Sequence, residues 1–296
     1  MPKKPKHLSV ILPHRLKNPN NNNNNNSSSS SSNWNDISSS DDKQQSLINI
    51  NHYDVSYLEE IAMLVEEIVA WTLLAKIPCL SIYRQDDVLR HGIENILCHL
   101  DESPIIQQAF DDSLSADSIN DAEGSDKSGD DGNRNGLNNN NNNNKTKRNR
   151  AVGNKILIKV VYDSGKKIKY IGNYPATEVK NIESLFDIQV NLLSRSDGRK
   201  KLVDLTKDLC SQVASNKINS KEIDISTINR YAKSTKSFPD PELVLVYSEE
   251  FVLYNYPPWH LKNSELHHIP SVKRPTMDSF YEALYVYAST EQRYGK

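Results

Sequence analysis

Apolar and polar positions change period several times along this chain. "HLSVIL" (His7–Leu12) is a short apolar run stopped by Pro13, which predicts a buried strand. "SYLE" at Ser56 has the spacing of a capping box with Glu59. Leu58, Ile61, Val65, Ile68 and Thr72 then recur at helical spacing, with Glu59, Glu60, Glu66 and Glu67 on the other side. That pattern predicts an amphipathic helix with one buried stripe. Pro78 ends it, "CLSIY" (Cys79–Tyr83) reads as a second strand, and Asp87–His99 reads as helical. Further along, "KILIKVVY" (Lys155–Tyr162), "DIQVNLLS" (Asp187–Ser194) and "ELVLVY" (Glu242–Tyr247) read as strands. Asp197–Ser215 predicts a helix with Leu202, Leu205, Leu209 and Val213 on one face. A last helix from about Thr276 is expected to bury Phe280, Leu284, Tyr287 and Ala288. Strands alternating with helices imply an α/β domain around a largely parallel sheet.

Two stretches carry no such pattern. Residues 18–45 are nearly all Asn and Ser, and residues 113–150 are Asp, Ser, Gly and Asn ending in "KTKRNR". Neither holds enough apolar side chains to offset the entropy of ordering it, so both are expected to be disordered inserts in one domain spanning 1–296. The net charge of −2 and pI near 6.5 give no global basic field, which argues against a nucleic-acid partner. Cys79, Cys98 and Cys210 show no metal or disulfide spacing and read as buried free thiols. The longest apolar segment, "IAMLVEEIVAWTLLAKI", is interrupted by Glu66 and Glu67 and does not read as a membrane span.

No Walker loop, GxGxxG, HExxH or GxSxG is present. His267 and His268 are adjacent without a third ligand at useful spacing and read as a surface loop. Glu249, Glu250 and Glu265 read as a solvated acidic group. The terminal "ASTEQRYGK" has two readings from its residues alone. It is either a basic helix end complementing the helix dipole, or a phosphate-binding tail built on Arg293 and Gly295.

The segment "PDPELVLVYSEEFVLYNYPPWHLKNSELHHIP", followed by "FYEALYVYASTEQRYGK", resembles the cis-prenyltransferases. It is most similar to their non-catalytic eukaryotic branch, the Nogo-B receptor-like subunits of dehydrodolichyl diphosphate synthase. The matching features are the "PDPELVL" strand, "PWH", a Glu six residues after the Trp, and "EQRYGK". Weaker likeness covers "PKHLSVIL", "IPCLSIY" and "LLSRSDGRKKLVDL". The resemblance implies a sheet of about six mostly parallel strands flanked by helices.

Departures from the catalytic pattern are as specific as the matches. Six residues after His7, where catalytic members place an Asp, stands Pro13, followed by His14 and Arg15. The two Arg and the Ser that hold the incoming diphosphate correspond to Val246, Val252 and Tyr254. Glu265 matches the family's metal-associated Glu. "DDGNRN" (Asp130–Asn135) resembles the family's opening motif, but it lies in low-complexity sequence with no preceding strand and reads as a chance match.

The resemblance therefore implies a regulatory subunit of a heterodimeric cis-prenyltransferase, inactive by itself. In such a complex Arg293 and Gly295 reach the partner's active site. The substrates are isopentenyl and farnesyl diphosphate, the cofactor is Mg2+ held mainly by partner and substrate, and the product feeds dolichol and N-glycosylation. The implied location is the cytosolic face of the endoplasmic reticulum, peripheral, through the partner or the growing lipid. An active homodimer and a non-enzymatic scaffold at that membrane remain alternatives.

The composition of the inserts yields a direct expectation. Long surface insertions cost little stability, because closure entropy grows only logarithmically with length. Deleting residues 20–40 and 118–144 is expected to leave the melting temperature nearly unchanged; a large drop after either deletion would show that the insert packs on the domain.

Overall fold

The fold is given by a computed structural model that describes residues 3–13, 53–109, 111, 156–172, 186–234, 238–270 and 274–291. Both inserts, His14, Arg15, Asp130–Asn135, Arg293 and Gly295 lie outside the described residues. Among the described residues the core is one seven-stranded sheet in the order β4-β3-β5-β2-β1-β6-β7. The strands are β1 (His7–Ile11), β2 (Cys79–Tyr83), β3 (Ile158–Tyr162), β4 (Lys167–Ile171), β5 (Ile188–Leu193), β6 (Leu243–Ser248) and β7 (Glu265–Pro270). All neighbours pair in parallel except β3 and β4, which form an antiparallel hairpin. The expected α/β architecture with a largely parallel sheet is thus observed, with one strand more than expected. No described helix is long and apolar enough to cross a membrane.

The helices are α1 (Val55–Leu74), α2 (Val88–His91), α3 (Ile93–Glu102), α4 (Arg199–Ala214), α5 (Ile225–Ser234) and α6 (Met277–Ser289). α1 is buried far beyond one stripe, from Ile61 to Leu73 on most of its circumference. Its N-cap is Asp54, whose carboxylate accepts from the Ser56 N–H, so the expected Ser56–Glu59 box does not form. Glu59 and Glu66 instead meet α3. His99 donates from Nδ1 to Glu66 at 2.8 Å and from Nε2 to Glu59 at 2.7 Å. Facing a carboxylate on each side raises the His99 pKa, chiefly through the Glu59 bond and then the Glu66 bond. Glu66, expected in solvent, is buried and also accepts from the Ser103 hydroxyl. α1 ends in a Schellman motif: Lys76 N–H bonds Leu73 O, Ile77 N–H bonds Thr72 O, and Lys76 takes φ 55° before Pro78 stops the helix.

Several boundaries and exposures differ from expectation for local reasons. The helical region after Asp87 breaks at Gly92 into α2 and α3. α4 buries only Leu209, while Leu202, Leu205 and Val213 are half-buried. Cys79 is buried, and burial pushes its pKa up to about 12. Cys98 and Cys210 are exposed, contrary to expectation. Cys98 lies on the acidic side of α3, where Glu102 raises its pKa, and Cys210 follows the one buried residue of α4. α6 starts at the Thr276 cap as expected and buries Phe280, Ala283 and Tyr287, leaving Leu284 and Ala288 half-buried. His267 and His268 lie in β7 rather than in a loop, and the His268 ring contacts Phe251 at 5.5 Å.

Side chains of β1 alternate between two cores. Leu8, Val10 and Leu12 join the large core beneath α1, α3 and α6. Ile11 joins Tyr83, Leu193, Phe238, Val244, Val246 and Tyr256 on the opposite face. His7 lies on that second face, with its Nε2 2.8 Å from the Ser81 hydroxyl. Ser81 also accepts from the Asn191 amide at 3.1 Å.

Burial lowers the His7 pKa from 6.5 to about 4. Between those values the unfolded chain binds the proton and the folded chain does not, so stability falls as pH drops through that window. The loss attributable to His7 is on the order of 3 kcal/mol. His99, with a raised pKa, acts in the opposite direction: its contribution is present in acid and lost as pH rises. Denaturant titrations at pH 7 and pH 4.5 are expected to show a smaller acid loss in His7→Gln than in wild type. Equal losses would show that another group carries the acid sensitivity.

Candidate functional site

In open α/β sheets the carboxyl ends of the strands form the usual ligand crevice. Here β1, β2, β5 and β6 deliver mostly apolar groups to that edge. β1 runs into Leu12 and Pro13, both buried, and the Leu12 N–H is held by Tyr83 O at 2.9 Å. Pro13 offers neither an N–H nor a carboxylate where an anchoring acid was expected to be missing. Val246 is fully buried among Ile11, Tyr83, Leu193 and Tyr256. Val252 is exposed, and Tyr254 is turned to a structural task.

That task closes the edge. Tyr254 and Asn255 take φ 47° and 61°, which folds the loop after β6 back over the strand ends. The Tyr83 hydroxyl donates to Tyr254 O at 2.6 Å, and the Tyr83 and Tyr256 rings meet edge-on at 5.2 Å. Asn255 O then presses on Gly198, where an added Cβ would lie 2.0 Å from it. Gly198 caps α4, so the loop is clamped between β2 and the start of that helix.

Charged groups around this edge are already engaged. Arg84 is fully buried, lies 2.9 Å from Asp86, donates to the Tyr57 hydroxyl and stacks 5.5 Å over the Tyr57 ring. Asp197 is buried and accepts from the Ser194 N–H at 2.9 Å in a capping box. Burial raises the Asp197 pKa and lowers that of nearby Lys201. A shallow depression lies between Leu89, Tyr162 and Ser194, about 280 Å³ including open solvent. No group of three His, Cys, Asp or Glu able to hold a metal occurs among the described residues.

Glu265 lies at the other end of the sheet. It opens β7 opposite Leu243, while β1 pairs Leu8 with Leu243. Pro13 is five residues beyond Leu8, so the two are separated by about 16 Å along the strands. The Glu265 N–H donates to Glu242 O at 2.9 Å. Glu242 also takes the Lys6 N–H at 2.7 Å, and the Tyr287 hydroxyl lies 3.5 Å from the same carboxylate oxygen. α6 runs antiparallel to β6: Ser279 near its start contacts Tyr247, and Tyr287 near its end contacts Glu242. The structure therefore brings Glu265 together with the end of the helix that leads to Arg293 and Gly295, and keeps both away from Pro13. The "PWH" stretch forms a short 3-10 turn, with Trp259 donating to Asn229 at 2.8 Å and His260 Nδ1 2.8 Å from Asp240. Sequence reasoning missed Tyr83, Gly198, Asn255 and Glu242. Only Gly198, a glycine just before a helix, carries a visible local signal.

Comparison with known proteins bears on this arrangement. No protein-family model matches the chain. A Schizosaccharomyces pombe protein, dehydrodolichyl diphosphate synthase complex subunit nus1, is 28% identical over 126 residues, 43% of this chain and 48% of that protein. The chain is similar to the NUS1 subunits. The human subunit NUS1 is 32% identical over 109 residues, 37% of each chain. A tritrans,polycis-undecaprenyl-diphosphate synthase of Thermoplasma volcanium is 28% identical over 149 residues, 50% of this chain and 57% of the enzyme. The matches thus span 37% to 57% of these relatives' own lengths. Among solved structures, lavandulyl diphosphate synthase from Lavandula x intermedia superposes with a TM-score of 0.47 at 13% identity, covering 99% of each chain. The likeness read from the sequence is therefore met by NUS1-type subunits and by a polycis-undecaprenyl-diphosphate synthase.

The Gly198 contact can be tested alone. At Gly198 (φ −82°, ψ −137°) an added Cβ would lie 2.0 Å from Asn255 O, so Gly198→Ala drives a methyl into that backbone. It is expected to destabilise the fold by about 2 kcal/mol and to speed proteolysis within residues 249–256. An unchanged melting temperature would mean that the loop does not sit on α4.

Proposed function

We propose that this chain is the non-catalytic subunit of a two-subunit cis-prenyltransferase that lengthens farnesyl diphosphate with isopentenyl diphosphate. One observation carries the reading: the strand ends at which a diphosphate would bind are closed by the Tyr83–Tyr254 hydrogen bond over a buried Val246. An edge of valine, leucine, proline and tyrosine supplies neither fixed positive charge nor a base. The NUS1 likeness is to proteins named as subunits of a complex, which supports a partner that holds the active site.

The described residues do not fit a magnesium site. Asp197 caps a backbone N–H, Asp86 pairs with Arg84, and Glu265 stands at the far edge of the sheet. Magnesium in this reading is held by the partner and the diphosphates, and this chain contributes no step through it.

What the chain contributes is its C-terminal segment. α6 ends at the edge where β1, β6 and β7 begin, opposite the closed strand ends. Arg293 lies three residues beyond Thr290, about 10 Å of extended backbone at most. The segment therefore leaves from the edge away from the closed strand ends, which favours a site in another subunit over the chain's own. The Arg293 guanidinium donates a planar pair of N–H groups to diphosphate oxygens. Gly295 lets the backbone come close enough for its N–H groups to reach them. As diphosphate departs from the allylic carbon, this fixed charge stabilises the negative charge that develops on it. The product class is a polyprenyl diphosphate serving dolichol synthesis, and the place is the cytosolic face of the endoplasmic reticulum, reached through the partner or the lipid.

Purified alone, the chain is expected to elongate no prenyl diphosphate; mixed with its catalytic partner, it is expected to raise turnover. Within the complex, Arg293→Ala is expected to lower turnover about 30- to 1,000-fold, the equivalent of roughly 2–4 kcal/mol of transition-state stabilisation. Gly295→Ala is expected to lower it as well, with assembly intact for both variants. A scaffold role predicts normal turnover for both, and polyprenyl synthesis by the isolated chain would sink the proposal.

A further inference from the structure

One charged ring fastens α3 to α1. His99 Nδ1 lies 2.8 Å from Glu66 and Nε2 lies 2.7 Å from Glu59, both on α1. An ionised carboxylate offers only lone pairs, so a ring between two of them donates from both nitrogens and is an imidazolium. Glu66 is buried and takes a second bond from the hydroxyl of Ser103, the C-cap of α3. The same hydroxyl accepts the Ile106 N–H at 3.0 Å and so caps the helical turn that follows. The Asn95 amide, one turn before His99, donates to Glu59 at 3.1 Å. Arg90 and His91 of α2 and Lys167 and Lys169 of β4 lie on elements also packed against α3, and Glu102 lies in α3 itself; of all these groups only Glu59 and Glu66 act on the ring.

Little else holds α3. It buries Ile96 and Leu100 and leaves Ile93 and Leu97 half-buried, and its N-cap, Gly92, supplies no side-chain bond. α1, by contrast, is buried from Ile61 to Leu73 on most of its circumference. Segments with few buried apolar contacts open locally at low cost, so one proton weighs more on α3 than on the sheet. A neutral imidazole donates from one nitrogen and turns a lone pair towards the other carboxylate. Glu59, whose side chain is half-exposed, can rotate into water. Glu66 cannot, and it is left buried without its counter-charge.

We propose that His99 is a pH-operated latch: as an imidazolium it closes α3 onto α1, and on losing its proton as pH rises it lets α3 and the turn capped by Ser103 open together while the sheet stays folded. The sign follows from the Glu59 and Glu66 bonds, which raise the pKa of the ring. Its closing contribution is complete below the ordinary value of 6.5 and is lost as pH rises through the raised one.

The experiment follows amide hydrogen exchange in the full chain from about pH 6 to about pH 9, corrected for the intrinsic pH dependence of exchange. The His99 ring is titrated by NMR alongside. Protection of residues 94–109 is expected to fall about tenfold or more across that range, with the amides of β1, β2 and β6 unchanged. The midpoint of the fall should coincide with the titration of the ring. Glu59→Gln removes an exposed carboxylate and should move both midpoints to lower pH together. His99→Gln should leave α3 weakly protected at both ends of the range, with no step. Where His99→Gln fails to fold, the wild-type and Glu59→Gln titrations decide alone. A ring that titrates at or below its ordinary value, or protection that does not change with pH, overturns the inference. So does an equal fall in the sheet, a step that persists in His99→Gln, or a step that stays in place in Glu59→Gln while the ring's midpoint moves.

Discussion

The parallel pairing of β1 with two strands from distant parts of the chain is the constraint on which the rest of this structure depends. Its five residues are all buried, with β2 on one side and β6 on the other. Leu8 and Val10 fill one core while Ile11 serves the second, so one strand joins both faces. A one-residue slip would exchange the two sets and drive His7 and Ser9 into the larger core. Register here also decides both ends of the sheet: it fixes Pro13 at one and Lys6 beside Glu242 at the other.

Those two edges have opposite characters for a common reason. At the carboxyl ends, apolar side chains and one tyrosine hydroxyl bring the loop after β6 down onto the sheet. The buried cation at this edge, Arg84, is held by Asp86 and the Tyr57 hydroxyl. At the amino ends, Glu242 collects N–H groups from Lys6 and, through its carbonyl, from Glu265. That polar junction ends α6 in solvent, where a segment can leave the domain.

Polar groups inside the sheet are placed under strict pairing. The His7, Ser81 and Asn191 side chains form a chain across β1, β2 and β5 on the thinner face. Burial holds His7 neutral there and keeps the Cys79 thiol protonated. On the other side, His99 meets a carboxylate at each nitrogen, which favours its charged form. The two histidines thus report opposite environments, one set by desolvation and one by ion pairing.

The periodic pattern of the sequence determined the main elements. Strands β1, β2, β3, β5 and β6, the long helices α1 and α4, and the Thr276 start of α6 were all legible, because each carries an apolar period matching its geometry. So was the likeness to NUS1-type subunits, carried by a dense cluster of unusual residues from Pro239 onward. The chain hid what depends on partners far away in sequence. β4 and β7 are edge strands with lysines or histidines in place of an apolar run, and α5 is a short helix whose Ile225, Ile228, Tyr231 and Ala232 are interspersed with Ser, Thr, Asn, Arg and Lys. Glu66 reads as solvent-facing until His99 and Ser103 arrive from another helix. Pro13 and Val246 were visible as apolar positions at the strand ends, but the meeting of Tyr83, Tyr254, Asn255 and Gly198 there came only with the tertiary structure. Residue identity limits what one position can bind, whereas closing an edge requires groups from three separate elements to meet, and only packing brings them together.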